Sequence, residues 1–495
     1  MLFARSHQLM ITTQADDSDA SGRSNYDGSL NINLSQMEAI SADPSNSTRS
    51  QWGEVTAQPG AVWEDVLQLA RTFNRDVVTP NRFKSAVGDT VGDGGIGPLV
   101  RIHGFVEDNL LEVQMVLADG SRVTVTENHI TQIFENNITS RRYAHDLFAA
   151  VTGGGRGPWG IVTSYTFKMF QAPGRIVHAR HVYNLWEKGD YVGENVIQEL
   201  ATILPAMPAK WGGYFYLSGD TSDQSPDTKG TLVLDLVYYG LFKEDGDYDF
   251  INDVIGINSV MSLQSSIIVN RTSILEHQRQ TLDDHAFLDS RGYTFSRLLH
   301  NNGTDKEPEQ LTEALLFALN NPTIESTYSC TGQILGGASS SEPRLVSMTN
   351  PYLRSAAVNL YCKLSYPGRG IDDTFYISHA MDFKRLLEPF GEGQHRYWAE
   401  DDVVGWKKVF HGDKYGALIK TKLSYDVDNY LWCHNCVGSD FQVRCDRQKQ
   451  ESSEGLLMGG LLSGYVSEKR YISIRSRERM RSAHRERLVY INQQY

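Results

Sequence analysis

No cysteine occurs before Cys330, and the chain holds only five, Cys330, Cys362, Cys433, Cys436 and Cys445. So few, and so late, exclude a disulfide framework as the organiser of the fold. Long apolar runs are missing too. No window approaches the roughly 20 apolar residues that cross a bilayer, and the opening MLFARSHQLMITTQADDSDA lacks the sustained apolar stretch of a signal peptide. The sequence therefore predicts no membrane span. Positive charge is scarce: 47 Lys and Arg stand against 60 Asp and Glu, a formal net charge of −13 that denies a nucleic-acid partner its basic surface. The exception is 441–495, where 11 basic and 6 acidic residues give a net +5 in Gly/Ser-rich and Arg-rich halves, which predicts a poorly ordered basic tail. No internal repeat is visible.

What is present points to a globular protein of more than one domain, since 495 residues with 40% hydrophobic content can bury a large core. SLNINLSQMEAI alternates like a half-buried strand, and EVTAQPG repeats the signal. In AVWEDVLQLARTFN, Val62, Val66, Leu69 and Phe73 recur at helical spacing and predict one buried stripe. Leu111, Val113, Met115 and Leu117 share a strand face, Asp119-Gly120 turns the chain into RVTVT, and GIVTSYTFKMF is a further alternating run. Beyond QAPGRI the composition shifts: GGYFYLSG and GTLVLDLVYYGL are long strands, NVIQELATILPAM is helical, and TSDQSPDTKG has the composition of an exposed connection. The pattern is α+β, with an antiparallel sheet covered by helices in the second part. Asn33, Asn46, Asn137, Asn270 and Asn302 open N-x-S/T sequons, which either chance or a secretory relative explains.

Two glycine clusters carry the chemistry. Gly94, Gly95 and Gly97 lie in DGGIGP, and Gly153, Gly154, Gly155, Gly157 and Gly160 in GGGRGPWG. Glycine lets several backbone N–H groups close on a pyrophosphate, and it also makes simple tight turns; both explanations stand at this level. A nicotinamide dinucleotide is the weaker candidate, because a Pro and an extended strand follow the first cluster where a Rossmann fingerprint requires a helix.

The order of GSLNINLSQM, TAQPGAVWEDV, GGIGPLVRIHGFVEDNLLEVQMVLADG, DLFAAVTGGGRGPWGIVTS and WKKVFHGDKYGALIKTKLSYDVDNYLWCHNCVGSD resembles the berberine bridge enzyme-like, FAD-linked oxidases of the vanillyl-alcohol oxidase and p-cresol methylhydroxylase superfamily. The resemblance covers about 3–170 and 397–440. It implies an FAD-binding domain of the p-cresol methylhydroxylase type in two parts, 1–172 and 405–440, with a substrate domain at 175–400 between them. It implies an FAD-dependent oxidoreductase that takes hydride from an alcohol, sugar or similar small-molecule C–H donor, with dioxygen as one candidate acceptor. The alternative is a catalytically inactive relative or incomplete gene product that keeps part of the fold. Gly160, Ile161 and Val162 would border the flavin. Extracellular or secretory localisation also follows from the resemblance and the sequons.

Departures from the family pattern are informative. Relatives carry an R-x-x-G-H-D-type loop whose histidine bonds the flavin; here QADDSDASGRS puts Ser18 at that position, with Asp16, Asp17 and Asp19 close to where a pyrophosphate would lie. No cysteine is available for a second tether, so the FAD is expected to be non-covalent and weakly retained. The loop SAVGDTVGDGGIGPL is shorter than the family's, and the chain begins at FARSHQL, inside the expected first helix, without the expected opening strand. Tyr397 in HRYWAEDDVVGW matches the family's base-bearing stretch, with Glu400 next and Arg354 of SMTNPYLR a further candidate; Ala399 replaces the expected asparagine. A packed aromatic is the alternative role for Tyr397. One CxxC, Cys433-His434-Asn435-Cys436, has no second ligand pair at zinc spacing, so no metal site is expected, and the family's similar ending implies a structural role or disulfide there. His103 is expected to be a hydrogen-bonded structural histidine.

Overall fold

Seven strands form an antiparallel sheet whose spatial order differs from their order in the chain: Ile40–Asp43, Glu54–Ala57, Ile161–Lys168, Leu110–Val116, Arg122–Thr126, His129–Ile133 and Thr139–Tyr143. In the computed structural model the described residues are 1–441 apart from 17–22, 174–175, 188–189, 192, 220–229, 241–245, 259–262, 281–290, 301–306, 318–322, 324–325, 342, 345, 368–372 and 396–402. The basic tail beyond 441 and most of TSDQSPDTKG therefore lie outside them, as do Ser18, Tyr397 and Glu400. The chain divides into two units, Met1–Arg444 and Cys445–Tyr495, and every described residue belongs to the first. Among the described residues no helix is long and apolar enough to cross a membrane.

The hairpin at Asp119-Gly120 follows from its residues: Gly120 takes φ +87°, and Asp119 Oδ1 accepts from the Ser121 N–H at 2.9 Å. The helix Trp63–Thr72 forms as its apolar spacing predicts, but its buried face is Trp63, Val66, Leu67 and Ala70; Leu69 is half-buried and Phe73 is 39% exposed. Trp63 decides the rotation. Its indole is buried and donates to Thr90 Oγ1 at 2.6 Å, so the stripe runs i, i+3, i+4, i+7 from Trp63, one position away from the expected one. SLNINLSQMEAI is likewise two short strands, Leu30–Asn33 and Ile40–Asp43, the first paired in parallel with Ile11–Gln14. After the first glycine cluster a one-turn helix, Val100–His103, precedes the extended strand.

A second seven-stranded antiparallel sheet runs Leu263–Arg271, Ile176–Asn184, Thr231–Tyr238, Trp211–Ser218, Thr327–Ile334, Val358–Ser365 and Gly292–Leu299. Helices Gly193–Ile203 and Asp373–Leu386 contribute Val196, Ile197, Leu200, Tyr376, Ala380 and Phe383 to its apolar core. Cysteine has a larger part here than its count suggested. Cys330 and Cys362 stand directly opposite each other on adjacent strands and are joined by a disulfide, and Cys433 and Cys436 form another.

Arg101 connects the two sheets. Its buried guanidinium donates to the Trp211, Met207 and Leu335 carbonyls, three acceptors on the second sheet and its connections. After that sheet, the helix Tyr415–Tyr425 returns to the first core through Leu418. There Lys422 Nζ reaches the Pro158 carbonyl at 3.0 Å and the Leu431 carbonyl at 2.7 Å, with Asp426 as its buried counter-charge.

Candidate active site

The two glycine clusters meet backbone to backbone. A Cβ placed on Gly92 would fall 2.5 Å from the Arg156 nitrogen, so only glycine allows the loop before Gly94 to lie against the loop after Gly155. Beside this contact is a cavity of about 780 Å³, counting its open mouth, and a smaller one of about 340 Å³; Gly92 lines both.

Of the residues singled out from sequence, Gly155, Gly157, Gly160 and Val162 line the larger cavity, and Gly94 and Gly153 the smaller. The others pack against protein. A Cβ on Gly95 would strike Val106 at 2.5 Å, one on Gly97 would overlap the Thr79 carbonyl, and Gly154 is closed in by Trp159 and Leu418. Ile161 joins an apolar cluster with Ile11 and Leu431. Arg354 is buried and grips Asp108 with both guanidinium nitrogens, Nη1 to Oδ2 at 2.7 Å, while Nη2 donates to Thr349 Oγ1 at 3.1 Å; it borders the smaller cavity through Thr349. His103 is stacked on Phe170 at 3.8 Å between centroids, and its Nε2 has no hydrogen-bond partner among the described residues. Burial, rather than the expected hydrogen bond, defines it and pulls its imidazole down to about 4.

The donor chemistry of the larger cavity suits a pyrophosphate. Arg23 and Arg156 line it, both largely buried, with Arg156 paired to Asp89 at 3.0 Å. Asp16, expected to oppose an anion, has its Oδ2 held by the Ala86 N–H at 2.8 Å. Cys433 also lines this cavity, and its sulfur is committed to Cys436.

The smaller cavity holds a residue that sequence reasoning missed. Glu107 is 1% exposed, lines the wall, and accepts from Thr349 Oγ1 at 2.6 Å. Burial pushes its carboxyl up to about 8, Asp108 adds to this, and Arg354 opposes it. Its ionised form is thereby disfavoured. The available signal was an adjacent acidic pair in GFVEDNLLEV, an unusual place for charge unless something holds it. Arg344 supplies part of that hold by donating to the Glu107, Asp108 and Leu110 carbonyls. Gln394, His395 and Phe410 also line this cavity, and His395 immediately precedes the undescribed 396–402 that contains Tyr397.

With this geometry in place, the comparisons are specific. Residues 1–126 match the family model described as an FAD binding domain. An uncharacterised FAD-linked oxidoreductase of Arthroderma benhamiae is 23% identical over 88% of this chain and 74% of its own length. A VAO-type flavoprotein of Myceliophthora thermophila superposes with TM-score 0.72 at 21% identity, covering 90% of this chain and 78% of that one. The glucooligosaccharide oxidase of Acremonium strictum, described with a 6-S-cysteinyl, 8α-N1-histidyl FAD, gives 0.67 at 17% identity over 89% of this chain and 88% of that one.

Proposed function

Since its FAD binding domain, its VAO-type, berberine bridge enzyme-like fold and its relatives make this chain an FAD-dependent oxidoreductase, we propose that it removes hydride from a small-molecule alcohol, sugar or similar C–H donor and passes the electrons to dioxygen. The observation that carries this is the pair of cavities that share Gly92 as a lining residue: one walled by glycine and two arginines, the other by the buried Glu107 carboxyl. Gly155, Gly157, Gly160 and Val162, with Arg23 and Arg156, would hold the FAD, and when bound it supplies the hydride acceptor. Glu107 keeps a proton available at its carboxyl and orients a substrate oxygen, while Asp108 and Arg344 hold its turn in place. Tyr397 is the proposed base, with Glu400 beside it in sequence; Arg354 acts through Thr349 as a positioning residue.

The cofactor is proposed to be non-covalent. Ser18 offers no imidazole, and Cys433, which lines the larger cavity, is in a disulfide. The functional division is proposed as 1–172 with 405–440 for flavin and 175–400 for substrate, supported by the Lys422 and Leu418 contacts to the first core. Secretory or extracellular localisation is supported by the exposure of Asn33, Asn46, Asn137 and Asn270 at their sequons.

The test is a flavin absorption spectrum of the purified full chain, then acid precipitation. Flavin wholly in the supernatant is expected; a yellow, fluorescent precipitate overturns the non-covalent assignment, and a folded but colourless chain that takes up no added FAD overturns the larger proposal. Tyr397→Phe should slow flavin reduction by a substrate on the order of 10²–10⁴-fold with flavin content unchanged. Unchanged reduction kinetics would assign Tyr397 to packing.

A further inference from the structure

The second sheet carries a buried polar triangle away from both cavities' walls. His178 lies on the strand Ile176–Asn184, Asp235 on its neighbour Thr231–Tyr238, and His277 on the helix Ile274–Gln280. All three are buried, and one potential ligand atom from each lies within 4.8 Å of the other two. His178 Nε2 is 3.0 Å from Asp235 Oδ1, and the two imidazoles meet edge-on with centroids 4.6 Å apart.

Hydrogen bonding accounts for two of the three residues. Asp235 accepts from His178 on one oxygen and from Arg180 at 2.9 Å on the other, and Arg271 Nη2 lies 3.5 Å from His178 Nδ1. His277 is different: it is fully buried, and neither ring nitrogen has a hydrogen-bond partner among the described residues. Buried polar atoms in native proteins are nearly always satisfied, so two on one ring call for a missing partner.

We propose that His178, Asp235 and His277 form a three-ligand site for a divalent transition metal ion of the zinc type. Two imidazoles and one carboxylate are the nitrogen-rich donor set such ions take, whereas calcium and magnesium prefer all-oxygen sites. Loading replaces the His178 Nε2 contact to Asp235 with a metal bond and turns Arg271 fully to Glu276, which it already approaches at 3.5 Å. The ligand atoms must draw in toward bond lengths of about 2.0–2.2 Å. Arg180, on the far oxygen of Asp235, opposes the incoming charge, so the affinity is expected to fall below that of a structural zinc finger. The ion would fasten the helix Ile274–Gln280 to the second sheet. The same helix reaches the first region through Gln278, which bonds Thr79 at 2.8 Å and the Pro80 carbonyl at 3.0 Å.

The test uses tag-free full-length chain, stripped with chelator and dialysed against zinc, with metal measured by elemental analysis and cobalt(II) as an optical probe. Expected are one zinc per chain, a zinc-dependent rise in melting temperature, and visible d–d bands with cobalt. His277→Leu replaces the unsatisfied ring with an apolar side chain, so it should fold, yet bind zinc at least about 100-fold more weakly, since even losing a group that only orients a metal ligand costs about 10–100-fold. No retained zinc and no cobalt bands in the parent chain would overturn the proposal, and so would a folded His277→Leu with undiminished affinity. Should His277→Leu fail to fold, His178→Gln makes the same comparison. None of these readouts depends on flavin.

Discussion

The two seven-stranded antiparallel sheets share a strand count and a hydrophobic alternation, and differ in what stands beside them. The second is filled by its own side chains: Tyr183, Trp211, Phe215, Tyr238, Phe295, Tyr328 and Phe383 lie in one continuous core. Beside the first, glycine and buried charge replace bulk. Gly88, Gly92, Gly155 and Gly157 leave space, and Arg156–Asp89 and Arg354–Asp108 are paired within a few residues of it. Desolvating those charges is costly, and apolar residues of similar volume would serve stability as well. The difference bears on where the cofactor goes: the second sheet fills most of its neighbourhood with apolar side chains, and the first keeps a void with polar groups beside it.

Breaking the buried pair should have the largest effect. Asp108→Ala leaves the Arg354 charge buried without its partner and should cost about 3–5 kcal/mol in denaturant unfolding. A loss under 1 kcal/mol would mean that the region around the void tolerates charge as a surface does, and the contrast between the sheets would collapse. Glu107 sharpens the contrast through pH. Its folded carboxyl titrates at about 8 against an ordinary 4.5, so the folded state holds a proton that the unfolded chain gives up first, and stability falls as pH rises from about 4.5 to about 8. Glu107→Gln should flatten that slope, a few kcal/mol in all, and leave the second sheet's melting behaviour otherwise unchanged. An unaltered pH profile would show the carboxyl to be ionised in the fold.

The disulfides provide the next comparison. Cys330–Cys362 closes a separation of 32 residues inside the filled sheet and Cys433–Cys436 one of 3 beside the void. On chain entropy, removing the first by paired alanine substitution should cost about 3–4 kcal/mol and the second about 2 kcal/mol. Equal losses would argue that local packing outweighs loop closure. The smallest effect is expected at Gly94→Ala. Its φ of +92° disfavours a side chain by about 1–2 kcal/mol, but the nearest atom to the new Cβ is Leu353 Cδ2 at 3.4 Å, so folding should survive while the smaller cavity shrinks. Gly97→Ala, whose Cβ meets the Thr79 carbonyl, should lose far more stability; the reverse order would remove the distinction between cavity-lining and packing glycines.

Several of these features could be read from the chain alone and several could not, for identifiable reasons. The Asp119-Gly120 turn and the strand alternation are local, set by dihedral preference and period, and they appear where the pattern puts them. The buried face of Trp63–Thr72 was displaced by one position because a bond from Trp63 to Thr90, 27 residues away, sets the helix's rotation. The glycine clusters were visible as clusters, yet which glycine lines a wall depends on neighbours such as Val106, Thr79 and Leu418. Glu107 looked like one acid among many, since its proton is held by burial and by Thr349, 242 residues further on. The cross-strand cysteines pair through the register of two strands, which a cysteine count does not contain.

By itself the sequence determined the class of the molecule: α+β, acidic, glycine-marked for a phosphate, with strands and helices laid out by short-range periodicity and turn chemistry. Only the tertiary structure decided which glycines open a cavity, that Arg354 clamps Asp108, that Glu107 is a buried wall residue, and that His178, Asp235 and His277 converge. The physical reason is range. Dihedral preference and amphipathic spacing act over a few residues and are written in order along the chain, whereas burial, desolvation and convergent geometry are set by partners dozens to hundreds of residues away.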